Sequence, residues 1–77
     1  MYQTILIKIT FKRLEKKFTQ DYMASQLGIS QSYYNKIEGG KKTISIIMLF
    51  QIIDILDIDI VKLFDAAQKT EKKKLKK

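Results

Sequence analysis

The chain has 77 residues, no cysteine, no histidine and a net charge of +7. That length supports one small domain near the lower limit of what a single hydrophobic core stabilises. The missing residue types exclude disulfides, thiolate or imidazole metal sites and histidine general-base chemistry. Apolar residues at 45%, charged residues at 30%, no proline and only three glycines indicate a globular helical chain, not a disordered or turn-rich β one.

Charge is unevenly spread. Positions 1–43 carry eight basic and three acidic side chains, and 68–77 carry six lysines and Glu71. Between them, 44–67 set Lys62 against Asp54, Asp57, Asp59 and Asp65. A basic front, an acidic back and a basic tail suit a polyanion at the front, nucleic acid ahead of an anionic membrane surface.

The first segment reads two ways. Ile5, Ile7, Ile9 and Phe11 alternate with Leu6, Lys8 and Thr10, the period of a strand, whereas Ile7, Phe11, Leu14 and Phe18 form a helical stripe. Lys12-Arg13 and Glu15-Lys16-Lys17 fill the other face of that helix. The stripe favours a helix from about Thr4 to Lys16, buried through those four residues, with a short N-terminal extended segment as the alternative. The patch Ile5-Leu6-Ile7 is cut by Lys8 and lacks a basic flank and a cleavage site, so no export signal is expected. Residues 44–64 are apolar but interrupted by Gln51, Asp54, Asp57, Asp59 and Lys62, so no membrane span is expected, and the chain reads as cytoplasmic.

Thr19 is placed to cap a short helix over 20–26 that buries Met23, Ala24 and Leu27. Gly28 ends it, because glycine takes a left-handed backbone at little cost. Ile29 plugs the turn, and Ser30 caps a second short helix over 31–38 with Tyr34 and Ile37 inward. Gly39-Gly40 stops that helix, and Lys41-Lys42-Thr43 makes a polar loop. Ser45 caps an apolar helix over 46–56, Asp57 breaks it, and Asp59 caps a last helix over 60–67 with Leu63 and Phe64 apolar. The lysine run 68–77 cannot bury enough apolar surface to order itself, so a disordered basic tail is expected behind one domain, 1–67.

Two short helices joined by a glycine-containing turn form a helix-turn-helix pattern. Ala24 is small where the helices approach, Gly28 supplies positive φ, and Ile29 and Ile37 hold the second helix to the core. Gln31, Ser32, Tyr33, Asn35 and Lys36 remain outward, with no acid among them. Such a face suits the major groove, where glutamine and asparagine pair with adenine and Lys36 reaches guanine or a phosphate.

The stretches FTQDYMASQLGISQSYYNKIEGGKK and SIIMLFQIIDILDIDIVKLF, within 18–64, resemble the Cro/repressor-type helix-turn-helix regulators, the XRE family. The resemblance implies an all-α, five-helix, lambda-repressor-like DNA-binding bundle that binds double-stranded DNA without a cofactor. It implies that Gln20 grips a phosphate and that Gln31, Ser32, Asn35 and Lys36 read bases or the phosphates beside them. Tyr33 matches a backbone-contacting position, and Lys41 and Lys42 lie in a phosphate-contacting loop. The chain also departs from the pattern. Six positions separate Leu14 from Gln20, fewer than the family's usual spacing, so either the connector is shorter or the first helix sits in another register. Tyr34 replaces an aliphatic residue, and its hydroxyl is expected at a rim. Thr43-Ile44 stands where many members have Asn-Pro, and similar Thr-Ile loops occur in the controller proteins of restriction–modification systems.

On a helical wheel, Ile46, Leu49, Ile52, Ile53 and Leu56 share one arc, assigned to the core. Ile47, Met48, Phe50 and Ile55 fall outside it or at its edge. A soluble monomer rarely exposes so much contiguous apolar surface, so a two-fold dimer is expected through Ile47, Met48, Ile55, Ile58, Val61 and Phe64. Dimers of this motif read half-sites about 34 Å apart.

The leading expectation is therefore a dimeric, sequence-specific transcriptional regulator with recognition helix 31–38 in the major groove. The alternatives are an antitoxin on the same fold, with a toxin as its protein partner, or a restriction–modification controller protein. A membrane-surface module driven by the basic tail is a third reading. Glu38 reads as structural, pairing with a cation such as Arg13. Asp54, Asp57 and Asp59 lack the loop and terminal glutamate of a calcium site. No nucleophile–base pair or metal-ligand set is present, so no enzyme is expected.

Overall fold

Among the described residues, the computed structural model has five helices: α1 (Tyr2–Glu15), α2 (Gln20–Leu27), α3 (Gln31–Glu38), α4 (Ile46–Leu56) and α5 (Ile60–Leu75). The structure describes the backbone of residues 1–75 and the side chains through Gln68, and those residues contain no strand. The fold is the all-α helix-turn-helix bundle that the sequence implies.

Each predicted cap closes a helix start. Thr19 Oγ1 accepts from Tyr22 N at 2.9 Å, Ser30 Oγ from Tyr33 N at 3.0 Å and Ser45 Oγ from Met48 N at 3.1 Å. Asp59 Oδ1 takes Val61 N at 3.0 Å and Lys62 N at 3.2 Å. These oxygens satisfy amides that have no partner inside the helix.

The helix ends follow one rule as well. After α1, α2, α3 and α4 the backbone turns left-handed at Lys17 (φ 61), Gly28 (φ 71), Gly40 (φ 78) and Asp57 (φ 53). The next amide then folds back onto the last turn: Phe18 N to Arg13 O, Ile29 N to Ala24 O, Lys41 N to Lys36 O and Ile58 N to Ile53 O, at 2.8–3.0 Å. These are Schellman closures. Glycine fits two of them without strain, whereas Lys17 and Asp57 hold an unfavourable backbone.

The core draws on all five helices: Ile5 and Ile9, Met23 and Ala24, Tyr34, Leu49, Ile52 and Leu56, then Leu63 and Ala67. α2 packs on α3 and α4, while α1 runs against α3, α4 and α5. The helix-turn-helix pair is thus mounted on a platform of α1 and α4.

Three expectations are corrected here. The inward face of α1 is Ile5, Leu6, Ile9 and Arg13, whereas Ile7, Phe11 and Leu14 are 62%, 70% and 59% exposed. Both sets have helical spacing, so periodicity alone cannot choose between them. The short count from Leu14 to Gln20 thus reflects register, since Leu14 is not a core position. In α4, Ile46 is 63% exposed, and the buried arc is Leu49, Ile52 and Leu56, with Ile53 half-buried. The last helix also runs past the expected end at Ala67, to Leu75. Lysine, glutamine and glutamate are good helix formers, and no glycine or proline interrupts the run. The side-chain behaviour of 69–77 lies outside the described residues.

Candidate nucleic-acid interface

The turn between α2 and α3 is Gly28-Ile29-Ser30. A Cβ at Gly28 would meet nothing within 4 Å beyond the adjoining residues, so its positive φ, not crowding, is what demands glycine. Ser30 starts α3 at once, and Tyr34 and Ile37 anchor it, both fully buried. This places Gln31, Ser32, Tyr33, Asn35 and Lys36 on the exposed face of α3. Lys41 and Lys42 are also exposed, and their amides return to the Lys36 carbonyl at 2.8 and 3.2 Å, gathering three lysines at the end of α3. The Tyr2 hydroxyl accepts from Ile44 N at 3.0 Å and ties this loop to the start of α1.

A polar chain runs beneath the face. Arg13 Nε donates to Glu38 Oε2 at 2.7 Å, Arg13 Nη2 to Oε1 at 3.1 Å and Arg13 Nη1 to the Phe18 carbonyl at 2.9 Å. Gln20 Nε2 donates to Glu38 Oε1 at 3.2 Å, and Asn35 Nδ2 donates to Gln20 Oε1 at 3.1 Å. Burial opposes the charge on Glu38, but the bonds from Arg13 and Gln20 outweigh it and hold the carboxyl below the usual carboxylate range. The pairing of Glu38 with Arg13 matches expectation. Gln20 is half-buried and already joined to two protein partners, so it is not a free amide at a helix start.

Tyr34 is corrected: it lies wholly inside, not at a rim, and its hydroxyl makes no hydrogen bond of normal geometry. Burial pushes its ionisation far up, so the phenol stays neutral.

The residues expected at a dimer interface divide. Ile47 and Val61 are 70% and 74% exposed, whereas Met48, Ile55, Ile58 and Phe64 are half-buried against the core. Ile46 and Phe50 are exposed apolar residues on the same helix as Ile47. Ile60, Val61 and Phe64 line a shallow groove with Asp65 and Gln68.

Sequence reasoning missed the Gln20–Asn35 bond and the inward position of Arg13. The second left a signal: Arg13 follows Ile5 and Ile9 at helical intervals, and Glu38 is the sole acid in α3. Among the described residues, no cluster of acidic side chains has the arrangement to hold a metal ion. No described helix is long and apolar enough to cross a membrane.

Comparison with known proteins agrees with this architecture. Residues 9–63 match a family model described as helix-turn-helix. The chain is also 36% identical over 70 residues to the control protein C.MunI of a Mycoplasma species, covering 82% of this chain and 95% of that protein. No solved structure matches. The matched span holds all of α2, α3 and α4 together with the Arg13–Glu38 pair, and the chain belongs to the XRE-type helix-turn-helix family of DNA-binding regulators.

Proposed function

We propose that the chain is a sequence-specific transcriptional regulator that binds a two-fold-symmetric operator as a dimer, with α3 in the major groove. The observation that carries this is the outer face of α3, which is uniformly polar, free of acids and fixed to the protein body through Glu38. Gln31, Ser32, Asn35 and Lys36 face the bases in this reading. Gln20, Tyr33, Lys41 and Lys42 hold the phosphates, which set position without reading sequence. The exposed Ile47 and Val61, with the half-buried Met48, Ile55, Ile58 and Phe64, form the contact between copies. The regulator acts in the cytoplasm, by occupancy, and no catalytic step belongs to this reading.

Selection from a random duplex pool near 0.15 M salt tests it. A palindromic consensus with half-sites about 34 Å apart supports a dimeric reader. Binding without enrichment that vanishes with added salt rejects sequence reading and leaves only non-specific charge. Sedimentation at micromolar concentration that shows only the 9.0 kDa monomer rejects the interface.

A narrower reading is favoured by the similarity to a control protein and by the Thr43-Ile44 loop. It makes the chain the controller of a restriction–modification system. Restriction and methyltransferase genes beside its own, and a selected site in the DNA upstream of them, are the expected findings; a neighbouring toxin gene points to the antitoxin reading instead.

A further inference from the structure

An asparagine on a protein surface can ordinarily offer either end of its amide. Turned one way it presents an acceptor, turned the other it presents two donors, and the two states have nearly the same shape. Asn35 does not have that freedom. The restriction begins at Glu38, which is an ion paired in two places with Arg13. A carboxylate has no proton to give, so a group that bonds to it must donate.

Gln20 therefore points its Nε2 at Glu38 Oε1, at 3.2 Å, and its carbonyl away. That carbonyl accepts only, so its neighbour must donate in turn. The neighbour is Asn35, whose Nδ2 lies 3.1 Å from Gln20 Oε1. Two successive amides are thus oriented by one buried charge. We infer that Glu38, acting through Gln20, fixes the Asn35 amide so that its Oδ1 acceptor is left for the DNA and reads an amine on a base edge.

In the major groove the amines are N6 of adenine and N4 of cytosine. Oδ1 with the remaining N–H of Asn35 matches the amine and N7 of adenine. The reversed amide would suit the carbonyl oxygens of guanine and thymine. Gln20 and Glu38 are then positioning residues for specificity, and Glu38 acts without touching DNA. This inference rests on the proposed contact between Asn35 and a base.

The test is site selection with the wild type, Asn35→Ala and Gln20→Met, followed by affinities on duplexes altered at the position concerned. Asn35→Ala should erase preference at one base pair. At that pair the wild type should discriminate by about ten-fold or more. Replacing the amine-bearing base with its amine-free analogue, purine for adenine or pyrimidin-2-one for cytosine, should cost the wild type a similar factor and Asn35→Ala nothing. Gln20→Met removes the link but keeps the shape of the side chain, so discrimination at the same pair should collapse to within about two-fold, because the Asn35 amide can then turn.

Uniform weakening by Gln20→Met with the preference at that pair intact would overturn the inference, leaving Gln20 as a phosphate contact alone. Tolerance of the amine-free analogue by the wild type would also overturn it. If Asn35→Ala alters no position, the base contact fails and the inference fails with it. Glu38→Gln adds a second arm where it folds: a neutral amide at 38 should relax the same pair, and retained preference would count against Glu38 as the origin.

Discussion

Arg13, near the end of α1, and Glu38, the last residue of α3, are 25 positions apart and meet at 2.7 Å with side chains 10% and 6% exposed. The contact is bidentate, so it fixes direction as well as distance. Apolar packing of Tyr34 and Ile37 holds α3 against the core, and this polar clamp sets its angle to α1.

Breaking the clamp on one side should be expensive. Glu38→Ala strands a buried guanidinium and should lower unfolding free energy by about 3–5 kcal/mol. Replacing both partners with apolar residues, Arg13→Met with Glu38→Leu, should recover most of that loss. Urea denaturation of the two variants gives the comparison, and equal losses in both would show that the pair contributes by attraction, not by avoiding a stranded charge.

The same carboxylate gives an acid limit. The folded Glu38 carboxyl is held below its ordinary value, so its stabilisation is complete above the unfolded pKa of about 4.3 and disappears as pH falls through the lower folded value. The urea midpoint should therefore drop as pH falls below about 4.3. Glu38→Gln should show a smaller drop. Glu15, lowered by its hydrogen bond from Lys12 but fully exposed, should contribute little when changed to glutamine.

The two faces of α1 make opposite predictions. Ile9 is 1% exposed, and Ile9→Ala should cost about 2–5 kcal/mol through the cavity it leaves. Phe11 is 70% exposed, and Phe11→Ala should cost less than about 1 kcal/mol. Thermal or urea unfolding separates them, and a large loss in the second would mean that the Ile7–Phe11–Leu14 face is covered in solution.

Two helix ends carry removable strain. Lys17 and Asp57 hold φ of 61 and 53, a region that costs an L-residue about 1–2 kcal/mol. Glycine there loses more chain entropy, about 0.5–1 kcal/mol, so Lys17→Gly should stabilise the fold by up to about 1 kcal/mol. A lower melting temperature in that variant would rule the strain argument out.

On DNA, Gln31→Ala should cost about 1–3 kcal/mol on the preferred site and relax one base position. Lys42→Ala should weaken every sequence alike and reduce the salt slope by about one. Salt titrations on specific and scrambled duplexes distinguish the two behaviours.

The local signals in this chain were readable because each acts within a few residues. A hydroxyl or carboxylate before a helix caps that helix whatever lies beyond, so Thr19, Ser30, Ser45 and Asp59 marked their starts. Gly28 marked the turn because the backbone there requires positive φ. The family and the outward set on α3 followed from the same short-range pattern.

Other features depended on residues far apart in sequence. α1 carries two apolar faces with helical spacing, and the face that is buried is the one that brings Ile5, Leu6 and Ile9 to the core and Arg13 to Glu38, partners that no window along α1 contains. The hydroxyl of Tyr34 predicts a rim position, yet the space between the helices takes the whole ring. The orientation of Asn35 passes through Gln20 from a charge on another turn of its own helix, and only the packed arrangement brings those three groups within bonding distance. Caps and turns are set by local backbone chemistry; register, burial and amide direction are set by which side chains the fold brings together.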